Sequence, residues 1–225
     1  MFTLSSVVPW GRSFDEYRRM FALTDGDLGG RILGCGDGPA SFNAEATRRG
    51  TQVVSCDPLY QFSGGQIQQR IDETAPEVLE QARRNAHEFV WDEVIPDIEA
   101  LKRVRMTAMS AFLDDYDLGR AEGRYLDAGL PSLGFADDAF DLALCSHFLF
   151  LYSQQLDEAF HVQSMRELCR VAREVRVFPL LALGGQVSPY VAAVRDLLRR
   201  DGRRVTIERV PYEFQRGGNE MMRVI

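Results

Sequence analysis

Short apolar runs closed by turn residues alternate along this chain with stretches whose apolar positions recur at helical spacing, a βαβ-type rhythm. Residues 1–12 read as extended chain, with Pro9 and Gly11 as breakers. Ser13-Phe14-Asp15-Glu16 is a capping-box pattern that predicts a helix to about Leu23, its apolar face made by Phe14, Tyr17, Met20 and Phe21. Thr24 or Asp27 caps a further short turn, and Gly29-Gly30 lead into a first strand at residues 31–35. A helix over residues 42–49 stops at Gly50, and a second strand follows at 52–56. Further on, residues 123–130 and 140–145 read as the third and fourth strands. Residues 156–173 form a helix with Phe160, Met165, Leu168 and Val171 inward, and 174–180 a fifth strand. A helix over 190–200 precedes two last strands at 204–210 and 220–225, paired like a hairpin through the Gly217-Gly218 loop. The near-continuous apolar run of the fourth strand is typical of burial on both faces of a parallel sheet. The fold predicted is α/β: a doubly wound, mostly parallel sheet in a single domain over 1–225.

One interval breaks the rhythm. From Asp57 to the strand at Tyr125 is 68 residues, whereas a parallel crossover needs about a dozen. Residues 66–92 and 95–120 read as helices, with Ile67, Ile71, Val78 and Leu79 apolar and Pro76 and Pro96 as breaks. One helix is the crossover; the rest of about 60–122 is a helical insertion between strands two and three. A substrate lid and a homodimer surface are the two uses open to it.

Composition narrows the class. With 225 residues and 45% hydrophobic positions the chain can bury a sizeable core. A formal net charge of −7 speaks against a nucleic-acid partner. Arginine carries nearly all positive charge, Lys102 being the one lysine. Cys35, Cys56, Cys145 and Cys169 form no CxxC pair and have no histidine at ligand spacing, so they read as buried free thiols and no metal is expected. No apolar run approaches the roughly 18 residues of a membrane span, and the N-terminus lacks the pattern of a signal peptide. A cytoplasmic protein without a membrane partner is expected.

The chemistry concentrates at residues 31–42, where a strand meets the turn Gly34-Cys35-Gly36-Asp37-Gly38-Pro39 and then a helix. Glycines there let a backbone approach a ligand closely. The next strand ends in Asp57, and a carboxylate so placed accepts hydrogen bonds from two ribose hydroxyls. Together they imply an adenosine-containing ligand. Gly34 and Gly36 each qualify as the first glycine, and Asp57 follows them by 23 and 21 positions.

At this point the chain resembles the class I S-adenosylmethionine (SAM)-dependent methyltransferases, whose ribose acid lies about 21 residues after the first glycine of G-x-G-x-G. The resemblance therefore selects Gly36-Asp37-Gly38-Pro39-Ala40, with Ala40 in the third glycine position. Leu133 to His147 resembles the family's LPF-x-D-x-x-FD-hydrophobic-SH stretch, and the last two strands suit its seven-stranded sheet with one antiparallel member. The family carries an acid two positions before the first glycine, where this chain has Gly34. Asp37, or a residue of the N-terminal segment, is the substitute for holding the methionine end. The family's usual acid for the adenine amino group is also missing near Gly129. Asp127 is the nearest carboxylate, and the backbone of Gly129 and Leu130 is the alternative contact.

The resemblance implies SAM as cofactor, with Gly34, Cys35, Gly36, Asp37, Gly38, Asp57, Pro58, Leu130 and Ser146 as binding residues and a small-molecule acceptor. His147, at the end of the fourth strand, is the candidate general base, with a structural or adenosyl-side contact as the alternative; Tyr152 and Tyr60 are weaker candidates. His87 and His161 read as surface or packing residues. Phe148, Phe150, Tyr152 and Trp10 are candidates for an apolar acceptor pocket, and Arg12 for a contact to the cofactor carboxylate or an acidic acceptor. Two other readings stand beside this one. One is a non-catalytic SAM-binding or regulatory protein. The other is an NAD-dependent oxidoreductase, against which Ser41 occupies the last glycine position of G-x-G-x-x-G.

Overall fold

The computed structural model describes residues 8–225; the sequence reading of residues 1–7 lies outside them. Seven strands form one sheet in the order β3-β2-β1-β4-β5-β7-β6. They are β1 Arg31–Cys35, β2 Gln52–Cys56, β3 Tyr125–Leu126, β4 Phe140–Ser146, β5 Ala172–Phe178, β6 Val205–Arg209 and β7 Glu220–Val224. The pairs β1–β2, β1–β4, β2–β3 and β4–β5 are parallel, while β7 runs antiparallel between β5 and β6. This is the seven-stranded doubly wound sheet expected from the sequence.

The helices are α1 Phe14–Met20, α2 Asp25–Leu28, α3 Phe42–Arg48, α4 Gly64–Arg84, α5 Ile98–Ala121, α6 Glu158–Val171 and α7 Val191–Arg200. Period-2 alternation divides the strands between two cores. Ile32, Val53, Leu142 and Leu144 face Phe14, Tyr17, Met20 and Phe42 of α1 and α3. Leu33, Ala143, Cys145 and Val175 face Met165, Leu168, Val194 and Leu198 of α6 and α7. The strand ends Cys35, Cys56 and Cys145 stand in register across the centre of the sheet, and all four cysteines are buried free thiols.

Local signals set the boundaries. The Ser13–Glu16 capping box forms as expected, and Thr24–Asp27 forms a second one that starts α2. Three expectations are corrected. Pro76 does not break its helix: it lies inside α4, on an exposed face, while Ile71, Ala75, Val78 and Leu79 bury the opposite side. Burial of that face outweighs the lost backbone hydrogen bond. The α-helix ends at Arg84, not 92, and residues 85–96 form a link with one 3-10 turn at Ala86–Glu88 before Asp97 caps α5. The third strand is two residues rather than eight, because only Ser55 and Cys56 of β2 pair with it.

α5 packs against α3 and β3 as the crossover, while α4 lies on α5 and reaches over the C-terminal ends of the strands, where it lines a cavity. No helix among the described residues is long and apolar enough to cross a membrane.

Candidate functional site

Strand order reverses between β1 and β4, and in doubly wound sheets the crevice beyond that point binds ligands. A cavity of about 650 Å³ opens there. Its floor is the turn after β1 (Gly36, Asp37, Gly38), the end of β2 (Cys56, Asp57, Pro58) and the end of β4 (Ser146, His147, Phe148). Gly129 and Leu130 form one side, the N-terminal segment with Trp10 and Arg12 another, and Gln66, Ile67, Gln69, Arg70 and Glu73 of α4 the roof.

The glycines are required by geometry. Gly36 and Gly38 have φ of +67° and +52°, a region costly for residues with a Cβ. A Cβ on Gly36 would come within 2.8 Å of the Phe148 side chain, whereas a Cβ on Gly38 would meet no protein atom within 4 Å, so that one face of Gly38 is open. The turn is tied down from three sides. Gly36 N–H donates to Cys56 O (2.9 Å), Gly38 N–H to Asp57 Oδ2 (2.8 Å), and the Tyr60 hydroxyl to Gly38 O (2.8 Å). The N-terminal segment lies across the turn: a Cβ on Gly11 would overlap the Pro39 carbonyl, and Ser41 N–H donates to Arg12 O (3.0 Å).

Two carboxylates meet at this floor. Asp57 Oδ1 accepts from Leu59 N–H (2.8 Å) and Oδ2 from Gly38 N–H. Burial raises its pKa and these two N–H donors pull it back. Asp57 lines the cavity, and each of its oxygens keeps a further lone pair. Asp37 is buried; it accepts from the Tyr17 hydroxyl (2.8 Å) on Oδ1 and the Ser55 hydroxyl (2.7 Å) on Oδ2. Burial lifts its carboxyl to about 6 despite these donors, with the nearby Asp57 charge adding to the rise. A Cβ built on Gly34 would overlap the Asp37 carboxylate. The space that a side chain at 34 would enter is therefore filled by the acid three residues later.

His147 lines the cavity with φ of +51°, unusual for a residue with a side chain. Its N–H donates to Phe178 O (2.7 Å), and Nδ1 lies 3.0 Å from Ser146 Oγ. Burial, and then the charges of Arg12 and Arg105, hold its pKa well below the usual imidazole value, so the ring is neutral at pH 7.

Of the residues singled out from sequence, Gly36, Asp37, Gly38, Asp57, Pro58, Leu130, Ser146 and His147 come together on the cavity wall. Gly34 and Cys35 do not line it; they lie beneath, in β1. Trp10, Phe148 and Tyr152 line it, whereas Phe150 is fully buried in the core. His161 is a packing residue, its Nε2 accepting from Phe150 N–H at 3.2 Å. Sequence reasoning missed Tyr17 and Ser55 as partners of Asp37, Tyr60 as a clamp on the turn, and Gln66 and Arg70 of α4. Tyr17 and Ser55 sit in an amphipathic helix and a strand, so their apolar periodicity hid their polar ends.

A sheet ordered 3-2-1-4-5-7-6 with strand 7 reversed and a glycine turn after strand 1 is the class I methyltransferase fold, a Rossmann-like architecture. The chain is 32% identical over 221 residues to the uncharacterized protein MJ0045 of Methanocaldococcus jannaschii, covering 97% of this chain and 96% of that one, and it belongs to the same family. No protein-family model matches it. Among solved structures it is similar to magnesium protoporphyrin IX methyltransferase (ChlM) from Synechocystis PCC 6803 with bound SAM. The identity there is 13% and the TM-score 0.46, with 94% of this chain and 89% of that one covered. It is also similar to the mitomycin 7-O-methyltransferase MmcR, at 15% identity and a TM-score of 0.48, over 94% of this chain and 53% of that one.

Proposed function

We propose that the protein is a SAM-dependent methyltransferase acting on a small-molecule acceptor. The observation that carries this reading is that the Gly36–Gly38 turn and Asp57 open into one cavity at the strand-order reversal of a methyltransferase-type sheet. The residues fit the cofactor. The face beside Gly38 is free of protein atoms, the Asp57 carboxylate has lone pairs to spare for ribose hydroxyls, and the volume suits a nucleoside-sized ligand.

When bound, SAM supplies a methyl group on a sulfonium, transferred by in-line displacement. In this reading Asp57 grips the ribose. Pro58, Gly129 and Leu130 contact the adenine, the latter two through their backbone. Asp37 supplies the negative charge for the ammonium of the methionine end, replacing the acid missing at Gly34. The neutral ring of His147 accepts a proton where the acceptor must lose one. Trp10, Phe148, Tyr152 and the α4 cap exclude water and position the acceptor.

Incubation with methyl-labelled SAM and a metabolite extract is expected to transfer label to a small molecule. Tight SAM binding with persistent absence of transfer would instead assign a non-catalytic binder.

A further inference from the structure

We propose that Arg12, backed by Arg105, forms an anion subsite in the cavity wall that takes a carboxylate or phosphate of a bound ligand. The inference deepens the methyltransferase reading and rests on it for the identity of the neighbouring ligand. Three cationic or basic residues line the cavity among the described residues: Arg12, Arg70 and His147. His147 is neutral, and Arg70 pairs with Glu73 (3.5 Å). Among the described residues Arg12 has no carboxylate partner. The one hydrogen bond of its side chain among the described residues runs from Nη1 to Trp10 O (2.7 Å), and its buried Nε is unpartnered.

The cluster behind Arg12 does not neutralise it. Arg105, on α5, is fully buried, and its Nη1 donates to both oxygens of buried Glu16 (2.7 and 2.6 Å). Glu16 also accepts from the Tyr212 hydroxyl (2.8 Å), from Ser13 N–H (2.9 Å) and from the Ser13 hydroxyl (3.2 Å). Five such contacts exhaust a carboxylate. Arg105 still has Nε and Nη2 buried without partners among the described residues. Two guanidinium groups thus share one saturated counterion. A buried cation without its own partner is costly, and an anion at Arg12 removes that cost. The other cavity carboxylates are engaged elsewhere: Asp37 by Tyr17 and Ser55, Asp57 by two N–H groups, Glu73 by Arg70 and Gln69. The N-terminal segment is fixed on the glycine turn by Gly11 and by the Ser41 N–H to Arg12 O bond, so Arg12 sits beside the methionine end of the proposed cofactor site. Two sources of the anion share this chemistry: the cofactor's own carboxylate and an acidic group of the acceptor.

Calorimetric titration of the full chain with inorganic phosphate, S-adenosylhomocysteine and 5′-methylthioadenosine, which lacks the amino-acid end, tests the subsite in wild type, Arg12→Gln and Arg12→Lys. Phosphate is expected to bind the wild type, and Arg12→Gln to weaken it about tenfold or more. Arg12→Lys, keeping the charge, retains part of the affinity and serves where the glutamine variant fails to fold. Phosphate binding to protein saturated with S-adenosylhomocysteine assigns the anion to the acceptor. Displacement of phosphate by S-adenosylhomocysteine assigns it to the cofactor, provided that Arg12→Gln weakens that ligand and spares methylthioadenosine. Wild-type affinities for all three probes in both variants would overturn the proposal, as would a wild type that binds no phosphate and whose S-adenosylhomocysteine affinity ignores Arg12. Failure of both adenosyl ligands to bind would remove the cofactor reading, yet the phosphate arm would still decide the subsite.

Discussion

Position 34 has no side chain, and the Asp37 carboxylate fills the space one would enter. This gives the pair a testable interdependence. Gly34→Asp alone forces overlap with Asp37 and is expected to destabilise the fold by about 1–3 kcal/mol. Combined with Asp37→Gly, the overlap disappears and most of that loss is recovered, as read by urea unfolding. The buried Asp37 carboxyl, raised to about 6, also sets a pH dependence. Its folded value lies above the unfolded one, so the folded state holds the proton more tightly. The stabilisation from this group is full below about pH 4 and is lost as pH rises through 6, on the order of 2–3 kcal/mol. Ligand binding has the opposite sign, because an ammonium pairs with the carboxylate form. Affinity for S-adenosylhomocysteine is therefore expected to rise as pH climbs through 6, and Asp37→Asn to flatten that rise. At this scale the sequence exposed the anomaly at Gly34 and named Asp37 as a substitute. The Tyr17 and Ser55 hydroxyls that hold Asp37 were not legible, since they approach from 20 and 18 positions away.

Elements with strong local signals were readable: the capping box of α1 and the β4 run follow from cap chemistry and periodicity, and the pairing of β6 with β7 from the Gly217-Gly218 loop, while the reversed place of β7 in the sheet came with the family resemblance. The region between β2 and β3 was readable only as helical. Pro76 pointed to a break, but the buried stripe of α4 carries the helix through it. The two-residue β3 depends on how far β2 reaches, which no local pattern states. Equally hidden was the tie between α1, α5 and the loop before β7, made by Glu16, Arg105 and Tyr212 across 89 and 196 positions. Glu16→Gln leaves Arg105 buried without its counterion and is expected to cost about 3–5 kcal/mol in denaturant unfolding. Its desolvation cost is outweighed by Arg105 and Arg12, which hold the Glu16 carboxyl at about 2. The folded value is depressed, so that stabilisation is present above about pH 4.5 and is lost as pH falls toward 2.

At the scale of the molecule, the parallel strands bring turn, acid and strand end to one edge, and α4 with the N-terminal segment closes the space above them. The doubly wound class followed from the alternation of strands and helices. The α4 roof and the Arg12 wall did not, because both depend on how distant segments fold back over that edge. The central claim is that Asp57 grips the ribose of SAM in this cavity. Calorimetric titration of wild type and Asp57→Ala with SAM, and of wild type with NADH, tests it most directly. Saturable SAM binding is expected, weakened in the variant by about 1.5–3 kcal/mol, with no comparable binding of NADH. Unchanged SAM affinity in Asp57→Ala, or saturable binding of NADH with none of SAM, would contradict it.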